Sequence, residues 1–339
     1  MAADVSSREL VKNLFQLRDL PRIPFIPWVC SFAAQLEQVQ IEEMLSEPGL
    51  LSSSVLNAQE LFGYDAIVNV FDTSLEAEAC GCEVDWGEEG SLPKVVSHPL
   101  EEGANIDNLD VANVEKRGRI PTVLEATKRL KIIRGKQVAI IGMVTGPLTL
   151  AGHLSGDSFL DEFNRGSDEA VKAVAAAASV ALKLSKQYCE LGVDAVVMVD
   201  EMFGQIDNQR YQNLVGPLKS VWNVTKFYGV KSLLLTRASN VDSLSPIFSL
   251  QADGAVISGY VDCKDTRRMA LDRKLCYGVG IPTSVFLGEM SMVAESVRRC
   301  LPEVTTGSFL STEWDIPYST NVNAMHEVMS SVKSSHQTT

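Results

Sequence analysis

Asp194-Ala195-Val196-Val197-Met198-Val199, running on into Asp200-Glu201, follows an alanine-rich helical pattern over 168–191 and precedes a second one near 208–228. A strand with one wet face alternates in polarity, whereas this run is apolar throughout. It therefore reads as a strand of a buried parallel sheet. The pattern recurs downstream in Lys231-Ser232-Leu233-Leu234-Leu235, Gly254-Ala255-Val256-Ile257, Leu275-Cys276-Tyr277-Gly278 and Gly307-Ser308-Phe309-Leu310, each reached through a helical segment. Upstream it recurs in Ile23-Pro24-Phe25-Ile26-Pro27-Trp28-Val29, Ala66-Ile67-Val68-Asn69-Val70-Phe71 and Gln137-Val138-Ala139-Ile140-Ile141-Gly142-Met143. Eight strand–helix units favour a closed (β/α)8 TIM barrel over an open sheet. No Gly-x-Gly-x-x-Gly or Walker loop follows any strand, so a nucleotide-binding fold has no support.

The remaining segments dress that barrel. Helical patterns fall near 8–17, 35–45, 49–61, 122–133 and 322–332. The stretch 83–119 is charged, non-periodic and contains glycine, which predicts an inserted hairpin and a long loop. The expectation is one domain over 1–339, with an N-terminal helical extension over about 1–20 and a flexible tail over 333–339. The chain of 339 residues is 45% apolar and 22% charged, an ordinary globular balance. Its 43 acidic and 30 basic residues give a net charge of −13. A nucleic-acid partner would need a basic footprint that no run supplies. No apolar stretch is long enough to span a membrane, and Met-Ala-Ala-Asp-Val-Ser-Ser-Arg-Glu does not read as a signal peptide. Seven scattered cysteines read as reduced thiols, so a cytoplasmic location is expected. Cys80-Gly-Cys82 has neither metal nor redox spacing.

Chemistry in such barrels sits at the C-terminal ends of the strands. The polar residues there are Trp28 and Cys30, then Asp72 and Thr73, then 145–153 with His153 at its end. Asp200, Glu201 and Gln205 follow the fourth strand, and Thr236, Arg237 and Asn240 the fifth. Ser258, Tyr260 and Asp262 follow the sixth, a loop reaching Glu289 the seventh, and Thr312, Glu313, Trp314 and Asp315 the eighth. A carboxylate at the end of an apolar strand can act as an acid with a raised pKa, can pair with Arg237, or can cap the next helix. Asp72, Asp200 and Asp262 all stand where a cap belongs. Gly146-Pro147-Leu148-Thr149-Leu150-Ala151-Gly152 is a small-residue turn entering a helix, which allows close backbone approach to a ligand. Met198, Met202, Met290 and Met292 read as core fillers.

Phe71-Asp72-Thr73 with Glu76-Ala77-Glu78-Ala79, the turn 146–152 and the closing Asp315-Ile316-Pro317-Tyr318-Ser319-Thr320-Asn321-Val322 resemble the uroporphyrinogen decarboxylase superfamily from about residue 9 to 332. The resemblance implies a TIM barrel and two branches of chemistry. Decarboxylases hold a four-carboxylate tetrapyrrole through an arginine-rich N-terminal loop. The matching stretch here, Trp28-Val29-Cys30-Ser31-Phe32-Ala33-Ala34-Gln35, has no arginine. Asp72 matches the aspartate that binds the pyrrole nitrogens, but His153 stands where the catalytic tyrosine would be. A polyanion would thus meet an acidic mouth without its clamp.

The other branch, the corrinoid-dependent methyltransferases of anaerobes, is the better match. Its thiol-methylating members hold zinc on a His-x-Cys after the fifth strand and a Cys after the eighth, where zinc turns a thiol into an attacking thiolate. The matching positions here are Thr236, Ala238 and Trp314, so that site is lost, while Asn240 keeps the motif's closing asparagine. Zinc elsewhere remains open, with Glu201, Glu289, Glu313 and His153 as candidate ligands. The resemblance implies methyl transfer from a small methylated substrate to cobalt(I) of a partner corrinoid protein. The substrate would be a methoxyaromatic, a methylamine or a betaine. The corrinoid must arrive on a partner, because no Asp-x-His-x-x-Gly loop is present. Asp200, Glu201, His153 and Asp72 are the catalytic candidates. Asp200 and Glu201 would serve as acid or metal ligand and His153 as proton donor. Trp28, Phe203, Tyr260 and Trp314 are candidate walls, with Thr236 and Asn240 beside them. An aromatic pocket suits a phenyl ether or, through cation–π attraction, a quaternary ammonium. The alternatives are transfer from methylcobalt to a non-thiol acceptor, decarboxylation, or a non-catalytic barrel that binds a tetrapyrrole or corrinoid protein.

Overall fold

The computed structural model describes residues 5–238, 241–258, 263–304 and 306–334. Its strands are β1 (Phe25–Trp28), β2 (Ala66–Val68), β3 (Val84–Asp85), β4 (Lys94–Val95), β5 (Ala139–Thr145), β6 (Ala195–Asp200), β7 (Lys231–Thr236), β8 (Gly254–Ser258), β9 (Cys276–Ile281) and β10 (Ser308–Asp315). All eight apolar runs became parallel strands of one sheet, in the order β1-β10-β9-β8-β7-β6-β5-β2. The remaining pair, β3 and β4, is the expected hairpin. Every residue of β1, β2, β5, β6, β8 and β9 is buried, as their unbroken apolarity requires.

The seam between β1 and β2 closes through one residue. The Asp65 N–H donates to the Phe25 carbonyl, and the Asp65 carboxylate accepts the Phe25 N–H, both at 2.9 Å. Arg22 and Ser7 hold that carboxylate from outside. Asp194 and Asp253 repeat the device: each immediately precedes a strand and accepts an N–H of the neighbouring strand, Ile140 and Ser232 respectively, at 3.0 Å. Strand starts carry donors that would otherwise be left unpaired, and a carboxylate one residue before the next strand satisfies them. These three aspartates belong to the N-terminal end of the barrel, opposite the mouth.

The helix Ser7–Phe15 precedes the barrel, and the long helix Asp168–Glu190 links β5's connection to β6. The helical pattern expected over 35–45 splits into Ser31–Glu37 and Ile41–Ser46, because Gln38 takes a left-handed conformation at φ 56°. The inserted region beyond the hairpin is not featureless loop: Ile106–Asn108 and Val111–Lys116 form 3-10 turns. No described helix is long and apolar enough to cross a membrane.

Candidate active site

Over the C-terminal ends of the strands lies a cavity of about 650 Å³. Phe71, Asp72, Thr73 and Ser74 after β2, Glu201 after β6, Arg237 after β7 and Trp314–Asp315 of β10 line it, with His153 on one side. The turn of the hairpin forms the far wall. There Gly90, at φ 81°, lets the backbone lie against Tyr318; a Cβ would meet the tyrosine ring at 2.6 Å.

Asp72 is buried and fully engaged. Its Oδ1 accepts the Ser74 N–H at 2.8 Å and the Ser74 hydroxyl at 2.7 Å, and its Oδ2 takes Arg119 at 2.5 Å. Arg119 also donates to Glu78 at 2.7 Å and places its guanidinium 4.8 Å from the centre of the Trp86 ring. Sequence reasoning missed Arg119, which belongs to the irregular region rather than to a strand end.

His153 sits in the last turn of the helix Pro147–Ser155. Its carbonyl accepts from His98 Nδ1 at 2.8 Å, but its own Nε2 is buried without a partner. Burial drags its pKa down to about 4, against the pull of Asp72. At neutral pH the ring is therefore uncharged. A neutral imidazole in this position offers a hydrogen bond.

Asp200 faces away from the cavity. Its Oδ2 accepts the Leu148 N–H at 2.9 Å, and its Oδ1 takes the Thr149 hydroxyl at 2.9 Å and the Met202 N–H at 3.1 Å. It thus satisfies the orphan donors of a helix on the neighbouring unit. Burial pushes its pKa up to about 7 despite these bonds. The close approach allowed by Gly146 is to this carboxylate, since a Cβ there would lie 2.3 Å from it. Neither the turn 146–152 nor Asp200 is part of the cavity lining.

Glu201 does face the cavity. It accepts the Thr73 hydroxyl at 3.2 Å and pairs with Arg237 at 3.5 Å. The Arg237 guanidinium lies 4.1 Å over the centre of the Trp314 ring, and Phe71 meets the same ring edge-on at 5.1 Å. Two further carboxyls, Asp315 at the end of the eighth strand and Glu76 in the run after Asp72, received no role from the sequence. Asp315 accepts the Cys30 N–H at 2.8 Å and the Ser31 N–H at 3.0 Å, and burial pushes it to about 7. Glu76 is buried against the Thr145 N–H at 2.7 Å and is also pushed to about 7.

Three expected wall or binding residues lie behind the cavity rather than on it. Trp28 is buried with its indole N–H on the Thr312 carbonyl at 2.8 Å. Phe203 packs on Tyr211, and the Thr236 hydroxyl donates to the Phe203 carbonyl at 3.1 Å. Asn240, Tyr260 and Asp262 fall outside the described residues. Among the described residues no three His, Cys, Asp or Glu side chains are grouped to hold a metal ion. Glu313 is occupied by the Ser258 hydroxyl at 2.7 Å, and Glu289 is exposed at the head of the helix Met290–Cys300. The candidate ligands Glu201, Glu289, Glu313 and His153 are thus not gathered into one group of three.

The fold aligns with a methyltransferase from Methanosarcina mazei at a TM-score of 0.86, over 98% of this chain and 100% of that one, at 18% identity. Among curated proteins, the chain is 25% identical over 245 residues to methylcobamide:CoM methyltransferase MtbA of Methanosarcina acetivorans, covering 71% of this chain and 72% of that protein. It is 29% identical over 140 residues to MtbA of Methanosarcina mazei, an alignment spanning 41% of each. It is also 24% identical over 255 residues to a uroporphyrinogen decarboxylase of Anaeromyxobacter, covering 71% and 72%. The family model described as uroporphyrinogen decarboxylase (URO-D) matches residues 6–335. With eight parallel strands, a mouth built on Asp72 and a match over nearly its whole length, the chain belongs to the uroporphyrinogen decarboxylase family.

Proposed function

We propose that this chain moves a methyl group from a small methylated molecule in the cavity to the cobalt(I) of a partner corrinoid protein. The candidate donors are a methoxyaromatic, a methylamine or a betaine. The observation that carries the reading is at the ends of β7 and β10. The resemblance puts the thiol-activating zinc of related methyltransferases there, on positions that hold Thr236, Ala238 and Trp314 in this chain. Thr236 is turned to a backbone carbonyl and Trp314 lies under Arg237. Relatives named as methylcobamide:CoM methyltransferases support a corrinoid partner. The loss of the zinc set separates this site from activation of a thiol such as coenzyme M.

The transfer balances simply. The cobalt(I) electron pair forms the cobalt–carbon bond, the carbon–heteroatom bond breaks, and its pair stays on the leaving atom. Cobalt is formally oxidised by two electrons, and the leaving atom finally takes a proton from solvent. The protein's residues seat the donor between Phe71, Trp314 and Tyr318. The hairpin turn limits access of water from its side, and His153 Nε2 offers a hydrogen bond to a substrate heteroatom. Asp200 acts as a positioning residue that fixes the helix carrying His153, and Glu201 fixes Arg237. Asp72, matched by three donors, holds Arg119 and the hairpin in register.

The test is anaerobic absorbance of a cobalt(I) corrinoid protein mixed with this chain and a panel of the three donor classes. Conversion to methylcobalt that depends on the chain supports the reading. No conversion of a competent corrinoid partner by any class contradicts it.

A further inference from the structure

The aromatic wall of the cavity already contains its cation. Arg237 lies over Trp314 at 4.1 Å while Phe71 takes a second side of the same ring. Glu201, a carboxylate of the same cavity, is paired with that same guanidinium at 3.5 Å. A similar pairing stands behind the cavity lining, where Arg119 lies by Trp86 at 4.8 Å and pairs with Asp72. A methylammonium head binds against a free aromatic face, and an unpaired carboxylate beside it adds to the attraction. At the Trp314 wall Arg237 has taken both.

We propose that Arg237 is the specificity-determining residue of the cavity, excluding cationic methyl donors and selecting neutral donors whose leaving oxygen becomes anionic. The inference rests on the methyl-transfer reading for the word donor, but its charge selection stands on the cavity alone. When cobalt(I) takes the methyl group of a neutral ether, the carbon–oxygen bond breaks and the pair remains on oxygen. A fixed guanidinium stabilises that developing charge. With a quaternary ammonium the leaving group becomes neutral, so the same guanidinium opposes binding and offers nothing to the departing amine.

The experiment uses tetramethylammonium as the probe and calorimetry on the full chain as the readout, so methyl transfer is not needed. The wild-type protein should show no binding heat. Arg237→Ala should open the Trp314 face and bind the probe at least tenfold more tightly. Arg237→Lys, which keeps a cation there, should behave as wild type, and Arg237→Ala combined with Trp314→Ala should lose the gain. Arg237 is half-exposed, and thermal unfolding of each variant verifies that it folds. Wild-type binding as tight as that of Arg237→Ala overturns the proposal, as does a gain that survives loss of Trp314. In the cobalt assay, Arg237→Ala should shift preference from neutral towards cationic donors. A chain with no transferase activity but with the predicted binding pattern would sink the transfer reading and leave the charge selection standing.

Discussion

Replacing Arg119 by methionine removes a cation that holds three elements together: Asp72 after β2, Glu78 on the helix Leu75–Ala79, and Trp86 beyond β3. Glu78 is partly exposed and can recover water, but Asp72 is 1% exposed and cannot. Its two Ser74 bonds remain, yet its charge loses the one counter-ion it touches. Stranding one partner of a buried ion pair costs about 3–5 kcal/mol. Unfolding entropy near 2.1 cal/mol/K per residue, applied to this chain, gives roughly 0.7 kcal/mol/K, so the midpoint should fall by about 4–7 °C. The assay is thermal unfolding of Arg119→Met, Asp72→Asn and the double variant. Because the double variant leaves no buried charge alone, it should cost less than the sum of the two, by about 1 kcal/mol or more. A drop below about 1 °C for Arg119→Met, or strict additivity, would refute the buried-pair account of the mouth.

Two other variants probe the helix that carries His153. Gly146 has an unstrained φ of −68°, so Gly146→Ala should hurt only through the contact with Asp200, by about 1–3 kcal/mol. The Asp200 Cβ is as close to that position as its carboxylate, so chemical denaturation should find the cost reduced in an Asp200→Gly background, and an undiminished cost would contradict the packing described. His153 titrates near 4 in the fold and near 6.5 when unfolded, so the unfolded chain binds the proton first as pH falls. Its contribution is whole above pH 6.5 and is lost towards pH 4. His153→Gln should therefore lose less stability than wild type between pH 7.5 and 5, and an identical acid slope would show that the ring is not buried neutral.

Much of the barrel was legible because its strands are short, wholly apolar and separated by helices, a pattern set by burial on both faces. Boundaries failed where no local signal exists: Val39 and its glutamine neighbours carry no glycine or proline, yet Gln38 breaks the helix there. The mouth was legible by position, not by direction. Asp200 and Glu201 are adjacent in sequence, but Asp200 ends β6 and bonds the neighbouring helix while Glu201 begins the turn and faces the cavity. Arg119 was invisible because it meets Asp72 across 47 positions from an irregular segment, and nothing local marks such a pairing. Trp28 and Trp314 both stood at strand ends, but a β-bulge beside Trp28 accompanies its turn into the core.

The most direct test of the central claim follows the methyl carbon itself. A methoxyaromatic carrying carbon-13 only in its methyl group would be incubated anaerobically with this chain and a cobalt(I) corrinoid protein that methyl iodide can methylate. The account predicts that the carbon-13 resonance moves to a cobalt-bound methyl group, and that the free phenol appears in equal amount, only when the chain is present. Label that stays on the ether, in a mixture whose corrinoid protein methyl iodide still methylates, would contradict it.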